Sequence, residues 1–503
     1  MNIKTSSRAR RMINALTLAV LFLATSFSCV HYQARPITVQ KSLAQYEERH
    51  LDSPELGQFL IANHEVDSWP PEVWDLKSLT LVAFYFNPQL DTARAQWAVA
   101  RAGRLTAAQV PNPVIGPRIG YNSTTPRDLI TPWMPEVSLD IPIEVAGKRG
   151  LRISEARHLS DAARYNILAA AWQVRSTLRQ SLLDLYISEK KLSLLDEQIR
   201  IQKELVKLME LKKAAGDVSG YELTQSRLAL ETSQLDLIEA QKMVRQAKVN
   251  LASALGLGPE AVDSAKISFD DLEKVATDIP AGELRRQALT NRADILSLLS
   301  EYAAAEADLH LEIARQYPDI TLSPDYQLDQ TDNKWTIGLS FELPIFNRNR
   351  GPIAEAEARR REKAAEFLEL QAAVISDLEK SIQNVRAAGQ KVLLSDELLQ
   401  HLEAQKAVAS RKLQAGEISK YDFLNLNLEL TASSLARLET LAEAQQATIE
   451  LENILQSPLQ MKDWLYTLDR GSHEVGQAHD ERETQGQTAT AAAAKEKTKD
   501  KKP

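Results

Sequence analysis

Two hydrophobic periodicities run along this chain, and each occurs twice. Over Met134–Ile143, Val137, Leu139 and Ile141 alternate with Ser138, Asp140 and Pro142. Over Trp335–Leu343, Ile337, Leu339, Phe341 and Leu343 alternate with Gly338, Ser340 and Glu342. A period of two is that of a β-strand with one apolar face. Each run has a partner across a polar turn: Val114–Ser123 before a stretch rich in Thr, Pro and Asp, and Ile320–Leu328 before Asp329–Lys334. The pattern predicts two hairpins with strands of about ten residues, the length of a tilted transmembrane strand. After each hairpin the period becomes helical. Leu178, Leu182, Leu185, Leu192, Leu195 and Ile199 form a coiled-coil seam, as do Ile375, Leu378, Ile382, Val385, Val392 and Leu399, which Gly389 interrupts. The first of these helices is predicted from Gly150 to about Lys213 and the second over about 352–414, each about 95 Å long at 1.5 Å per residue. Shorter Ala-rich helices, about 79–109 and 284–316, precede the hairpins and stop before Pro111 and Pro318.

The chain is therefore written twice. Gly216, Ser219 and Tyr221 return as Gly416, Ser419 and Tyr421, at an offset of 200 residues. Solenoid units repeat every 20–50 residues or so, so this is a duplicated domain. Each long helix ends in a tight reversal, "AAGDVSGY" and "QAGEISKY", with Gly where a left-handed residue terminates a helix. Ser219 and Ser419 stand at N-cap positions, with Glu222 and Asp422 three residues on, the spacing of a capping box.

Two hairpins give four strands. Four strands cannot close a barrel, and an open edge cannot sit in lipid. If the strands span a membrane, several chains must share one barrel, and three would supply about twelve strands. Alternation over ten residues also fits a soluble hairpin packed on helices, and heptad spacing fits a soluble coiled coil.

Charge and composition narrow the function. Net charge is −8 and no basic stripe is present, which argues against a nucleic-acid footprint. Lys4, Arg8, Arg10 and Arg11 precede an apolar run, Ile13–Ala24, too short to span a bilayer but suited to a signal peptide. The lone cysteine, Cys29, follows this run. Either the signal is cut before Cys29 and its thiol acylated, or the signal is cleaved in the ordinary way and the cysteine is incidental; both export the chain. With 1 Cys, 6 Met and 8 scattered His, no metal-ligand spacing exists, and no nucleophile elbow, phosphate loop or His-Glu-x-x-His is present. Neither a cofactor nor an enzymatic role has support. The segments read as follows: signal peptide 1–28; extended arm 29–78 with a helical piece near Ser42–Glu48; first repeat 79–257; connector 258–283; second repeat 284–457; C-terminal segment 458–503, whose residues from 470 have the composition of a disordered tail.

Two strands, a long helix, a Gly-x-x-Ser tip and a return helix, all duplicated, resemble the TolC-like outer membrane efflux proteins. Within them, "EVAGKRGLRI" (144–153), "YPDITL" (317–322) and "LPIFNRNRG" (343–351) resemble the CzcC-type heavy-metal branch. Cys29 with Tyr32 and Pro36 is similar to that family's lipid anchor. The resemblance implies a mainly α chain with a small membrane β part. It implies a homotrimer whose twelve-stranded outer membrane barrel continues into a periplasmic α-helical barrel. It further implies that the tips (Gly216, Ser219, Tyr221, Gly416, Ser419, Tyr421) dock a periplasmic adaptor linked to an inner-membrane RND pump, in a Gram-negative outer membrane. Glu222 and Asp422 match its acidic aperture, whereas Asn425 and Leu413 replace a second acidic ring and an aromatic gate residue. The implied function is an exit duct for heavy-metal cations. A duct for drugs or secreted proteins and a soluble periplasmic coiled-coil scaffold are the alternatives.

Overall fold

The computed structural model describes residues 32–63, 69–124, 132–263, 265–275, 279–329 and 332–459. The signal segment, Cys29 and the polar tail lie outside the described residues. Among the described residues before Arg49, α1 (Val39–Glu47) forms where the sequence predicts a helical piece, and it buries none of its residues.

From Arg49 onward the arm is not extended throughout. Pro54 sits in the first turn of α2 (Pro54–Ala62), where its missing N–H costs nothing, and Leu56 and Leu60 are fully buried. The helix predicted over 79–109 is two helices, α3 (Leu76–Phe86) and α4 (Pro88–Ala107). Pro88 cannot donate to the preceding turn. Asn87 closes the gap: its Oδ1 accepts from Gln89 N (2.9 Å) and its Nδ2 donates to Ala254 O (3.1 Å). The helix predicted over 284–316 is likewise broken, into α7 (Ala281–Thr290) and α8 (Ala293–Ala314). There Arg292 bonds the carbonyl of Ile454, the position 200 residues beyond Ala254.

The hairpins are β1 (Val114–Tyr121) with β2 (Trp133–Ile143) and β3 (Ile320–Asp329) with β4 (Asp332–Phe341). The second turn is tighter than the sequence suggests, because Asn333 and Lys334 already pair with Leu328 and Gln327. The two hairpins join through β2 and β3 into one antiparallel sheet of order β1-β2-β3-β4. Among the described residues its edges, β1 and β4, have no partner.

The long helices are α5 (Lys148–Ala215, 68 residues) and α9 (Arg350–Gln414, 65 residues). They return as α6 (Gly220–Leu255) and α10 (Lys420–Leu455). The helices pack in the row α6–α5–α10–α9, with α4 against α5 and α8 against both α5 and α9. Two cores hold the row, built from the same positions 200 residues apart. Leu178, Leu182, Leu185, Ala247, Leu251 and Leu255 form one; Leu378, Ile382, Val385, Ala447, Leu451 and Leu455 form the other. Each buried leucine contributes about 1.5–3 kcal/mol, so the duplicated seam fixes the row. Three seam positions differ from expectation: Leu192 and Leu399 are half-buried, and Val374 takes the buried site instead of Ile375. Helix α9 runs unbroken through Gly389, which is buried. At the far end of the first repeat Gly256 adopts φ +76°, and a Cβ there would meet Phe86 O at 2.6 Å, so only glycine fits.

Candidate functional site

Strand register sorts every sheet side chain onto one of two faces. Opposed pairs share a face, so Ile115, Leu139, Ile141, Leu322 and Leu339 lie together, with Trp133, Tyr326, Trp335, Ile337 and Phe341. This face is apolar across all four strands and stands open: Trp335 is 78% exposed. Near the hairpin turns it carries two cross-strand aromatic pairs, Tyr121–Trp133 (centroids 4.9 Å) and Tyr326–Trp335 (4.7 Å). Aromatic rings at that level are the girdle of a membrane strand.

The opposite face is polar and acid-rich: Arg118, Glu136, Ser138, Asp140, Thr321, Ser323, Asp325, Gln327, Asp329, Lys334 and Thr336. Arg118 pairs with Glu136 (3.0 Å) and Lys334 with Asp329. Asp140 and Asp325 are instead held by hydroxyls, from Ser323 (2.6 Å) and Thr336 (3.4 Å). Sequence reading placed Asp140 on the polar side of its strand but gave that side no role; only the register, which sets Asp140, Asp325 and Asp329 on one face, brings the acids together.

The three family-like motifs meet where the sheet hands over to the helices. In the first repeat the backbone turns through Ala146 (φ +57°) and Gly147 (φ +71°). Asp319, from "YPDITL", fastens this elbow: its Oδ1 accepts from Val145 N (3.0 Å) and from Lys148 Nζ (2.8 Å). Arg152 pairs with Glu144 through both terminal nitrogens, and its hydrogen bond holds the Glu144 carboxyl below the usual range. In the second repeat Asn349 takes the left-handed conformation (φ +59°), and its Nδ2 donates to Glu312 O and Oε2, both at 2.7 Å.

At the far end of the row lie the tips. Gly216 (φ +89°) and Gly416 (φ +76°) end α5 and α9 with the same Schellman pair: Asp217 N to Lys212 O and Glu417 N to Lys412 O, both 2.9 Å. The caps differ. Ser219 Oγ accepts from Glu222 N (3.2 Å) while Ser219 N donates to Glu222 Oε2 (2.6 Å), a complete capping box. These bonds from the Ser219 backbone and hydroxyl hold the Glu222 carboxyl below its usual range. Asp422 N donates to Ser419 Oγ (3.1 Å), but Asp422, one methylene shorter, meets only the Ser419 hydroxyl. Each Gly–Ser–acid set is thus brought together within its own tip. The tyrosines are not equivalent. Tyr221 is 72% exposed, whereas Tyr421 packs against the cluster of Ile201, Leu205 and Leu424, with Lys212 Nζ 5.2 Å from its ring centroid. Lys420 also reaches Glu204 (3.6 Å), so the second tip leans on α5.

Among the described residues, no group of three or more His, Cys, Asp or Glu is placed to hold a metal, and no helix is long and apolar enough to cross a membrane. The outer membrane efflux protein family model matches residues 85–257 and 284–456. The chain belongs to the outer membrane efflux protein family. The two matched segments coincide with the two structural repeats. The chain is similar to the cobalt-zinc-cadmium resistance protein CzcC of Cupriavidus metallidurans, 24% identical over 73% of this chain and 87% of that one. It is also similar to the pyoverdine export outer membrane protein OpmQ of Pseudomonas aeruginosa, 23% identical over 67% and 72%. Among solved structures, the outer membrane protein VceC of Vibrio cholerae superposes with a TM-score of 0.62, at 19% identity, over 76% of this chain and 97% of that one. This outer membrane efflux protein is therefore a channel subunit with a TolC-like fold, mainly α with a small membrane β part, and not an enzyme. The soluble-scaffold alternative falls with that assignment.

Proposed function

We propose that the protein is the outer membrane exit duct of a tripartite efflux system whose cargo is a heavy-metal cation. The observation that carries this reading is the four-stranded sheet, apolar on one face, acid-rich on the other and unpaired at both edges. Lipid must take the apolar face, so the acids line an aqueous lumen. Three copies, pairing β1 of one with β4 of the next, remove every edge. The helix row has the same two free ends, α6 and α9, so the same operation continues the barrel into the periplasm. Carboxylates held by hydroxyls along the lumen raise the local cation concentration by field focusing. The tips (Gly216, Ser219, Tyr221, Gly416, Ser419, Tyr421) dock an adaptor that hands cargo from an inner-membrane RND pump. Glu222 and Asp422 form an acidic aperture there, and acylated Cys29 anchors the N-terminus in outer membrane lipid. No ligand cage is needed, because a duct must release its cargo.

The similarity to CzcC favours metal; the similarity to OpmQ keeps a small-molecule duct as the second reading. Growth of a deletion strain across zinc, cobalt, cadmium, nickel, copper and silver, beside dyes, antibiotics and a siderophore, separates them. Sensitivity confined to one or a few metals is the expected result. Sensitivity to organic compounds alone overturns the cargo assignment and leaves the duct standing.

A further inference from the structure

Strand β4 continues at its base into a short segment, 342–349, before α9 begins. The segment is held along its length. Pro344 fixes its own φ, Ile345 N donates to Leu343 O (2.8 Å), and Asn349 N donates to Asn347 Oδ1 (2.9 Å). Asn349 is tied in turn to Glu312. Yet Leu343, Ile345 and Phe346 are turned outward, Phe346 with its whole side chain exposed. The first repeat uses the matching position otherwise: aligned on Pro142 and Pro344, Phe346 falls opposite Glu144, which is half-buried and paired with Arg152.

Two arginines follow the exposed ring. Arg348 and Arg350 are both exposed. Other arginines of this junction are engaged: Arg149 with the Ala108 carbonyl, Arg152 with Glu144, Arg315 with Glu312. Among the described residues, the guanidinium groups of Arg348 and Arg350 have no such partner. The nearby acid Glu342 falls on the other side of the alternation from Phe341 and Leu343, with the polar face.

We propose that the segment from Leu343 to Arg350 binds an anionic glycerophospholipid of the periplasmic leaflet. Ile345 and Phe346 meet the acyl chains near the glycerol, and Arg348 and Arg350 take the phosphate. The proposal rests on the reading that the sheet spans the outer membrane with its apolar face to lipid. Depth supports it. Leu343 is eight residues from Trp335, about 27 Å along the strand and about 21 Å of depth at a tilt near 40°. Ile345 and Phe346 therefore arrive where an apolar band about 25 Å tall ends, the level of a second aromatic girdle. Charge supports it as well, because a guanidinium presents parallel N–H groups to phosphate oxygens. A neighbouring copy suits the site poorly. The stretch 110–121, which would lie beside β4, holds Arg118 and no acid, so it would leave two guanidinium groups uncompensated.

Crosslinking and lipid titration of the full-length protein test the proposal. In vesicles of phosphatidylglycerol and phosphatidylcholine, p-benzoylphenylalanine placed at Phe346 or at Ile337 should give lipid adducts on illumination, read by peptide mass. Phosphatidylglycerol titrated into detergent-solubilised protein and followed by native mass spectrometry should bind about thirtyfold more weakly after Arg348→Gln with Arg350→Gln, each arginine giving about fivefold at an anionic surface. Phosphatidylcholine binding should not change, and inorganic phosphate should not compete. Adducts at Ile337 but none at Phe346, or an adduct of Phe346 with another copy, overturn the proposal and leave the membrane-spanning sheet standing. Absence of adducts at both positions overturns that reading and the proposal with it. Unchanged phosphatidylglycerol affinity, or displacement of the lipid by inorganic phosphate, overturns the lipid phosphate site.

Discussion

Lys148 and Asp319 join the two repeats at the base of the sheet. Lys148, buried at the start of α5, donates Nζ to Asp319 Oδ1 at 2.8 Å, and Asp319 stands one residue before β3. The same oxygen takes Val145 N, so one carboxylate fixes both the elbow of the first repeat and the entry of the second hairpin. The direction in which each hairpin leaves its helix, and hence the fit of β2 against β3, depends on it.

Replacing Asp319 by Ala should cost about 1–3 kcal/mol, because a buried ammonium loses its partner while the carboxylate removed was itself half-wet. Burial works to raise the Asp319 carboxyl, but the Lys148 hydrogen bond, the Val145 amide and the charges of Lys148 and Arg152 prevail and hold it below the ordinary aspartate value. A depressed acid contributes stability that is present above its unfolded pKa, near 3.9, and lost as the pH falls through the lower native value. Asp319→Asn should therefore melt below the parent at pH 7, and the gap should narrow as the pH falls below the ordinary aspartate value. A gap that stays constant across that fall would show that shape, not charge, matters there.

The contact between the repeats is guarded by a second ionic group. Arg175 and Arg179 of α5 are buried against Glu452 of α10, Arg175 lies over the Trp172 ring at 5.2 Å, and Gln445 carries the network to the carbonyls of Leu272 and Lys274 (2.8 Å each). Two guanidinium groups share one carboxylate, so Glu452→Ala leaves both without compensation. The expected loss is about 3–5 kcal/mol, read as a lower temperature of detergent-stable assembly. Replacing Arg175 by Met should cost far less, since one buried pair survives.

The sequence disclosed the duplication, the strands and the tips because each rests on local rules: alternation, heptads, and glycine beside a capping serine. The break at Asn87-Pro88 is legible as an Asn-Pro turn signal, passed over in the helix expected across 79–109, whereas the break at Asn291–Arg292 carries no proline or glycine to announce it. The full role of Asn87 shows only when the Ala254 carbonyl, 167 positions away, is beside it. Lys148, Asp319, Arg175, Arg179 and Glu452 escaped for the same reason; each resembles a solvated charge until the packing of α5 on α10 or of β2 on β3 is known. Tyr221 and Tyr421 look alike in sequence and differ in burial because only the second tip has a neighbouring helix in the chain.

At the tips, Ser219→Ala should speed exchange over the start of α6 more than Ser419→Ala does over α10, since the first box has both its reciprocal bonds and caps are worth about 1 kcal/mol. Asp422→Asn should keep the fold and the assembly and weaken cation preference in single-channel recordings, if the acid faces the aperture. Unchanged selectivity would leave Asp422 as a cap and nothing more.

The free ends of the helix row make the last prediction. Away from α5, helix α6 presents Leu228, Leu235, Ile238 and Val249 to solvent; away from α10, helix α9 presents Leu394, Leu398 and Val408. Both stripes are too apolar and too long for a surface left in water. They also match in height: at 1.5 Å per residue, Leu235 lies about 24 Å above Ser219 and Leu398 about 26 Å above Ala415. In a ring of three these stripes face each other, burying apolar groups along the seam that continues the β1–β4 junction. Leu235→Cys with Leu398→Cys should give disulfide-linked dimers and trimers on oxidation, and either substitution alone should not. Within one chain the two helices are at opposite ends of the row, so an intrachain disulfide in place of the ladder would mean that α6 and α9 of a single copy meet and that the ring closes in another way.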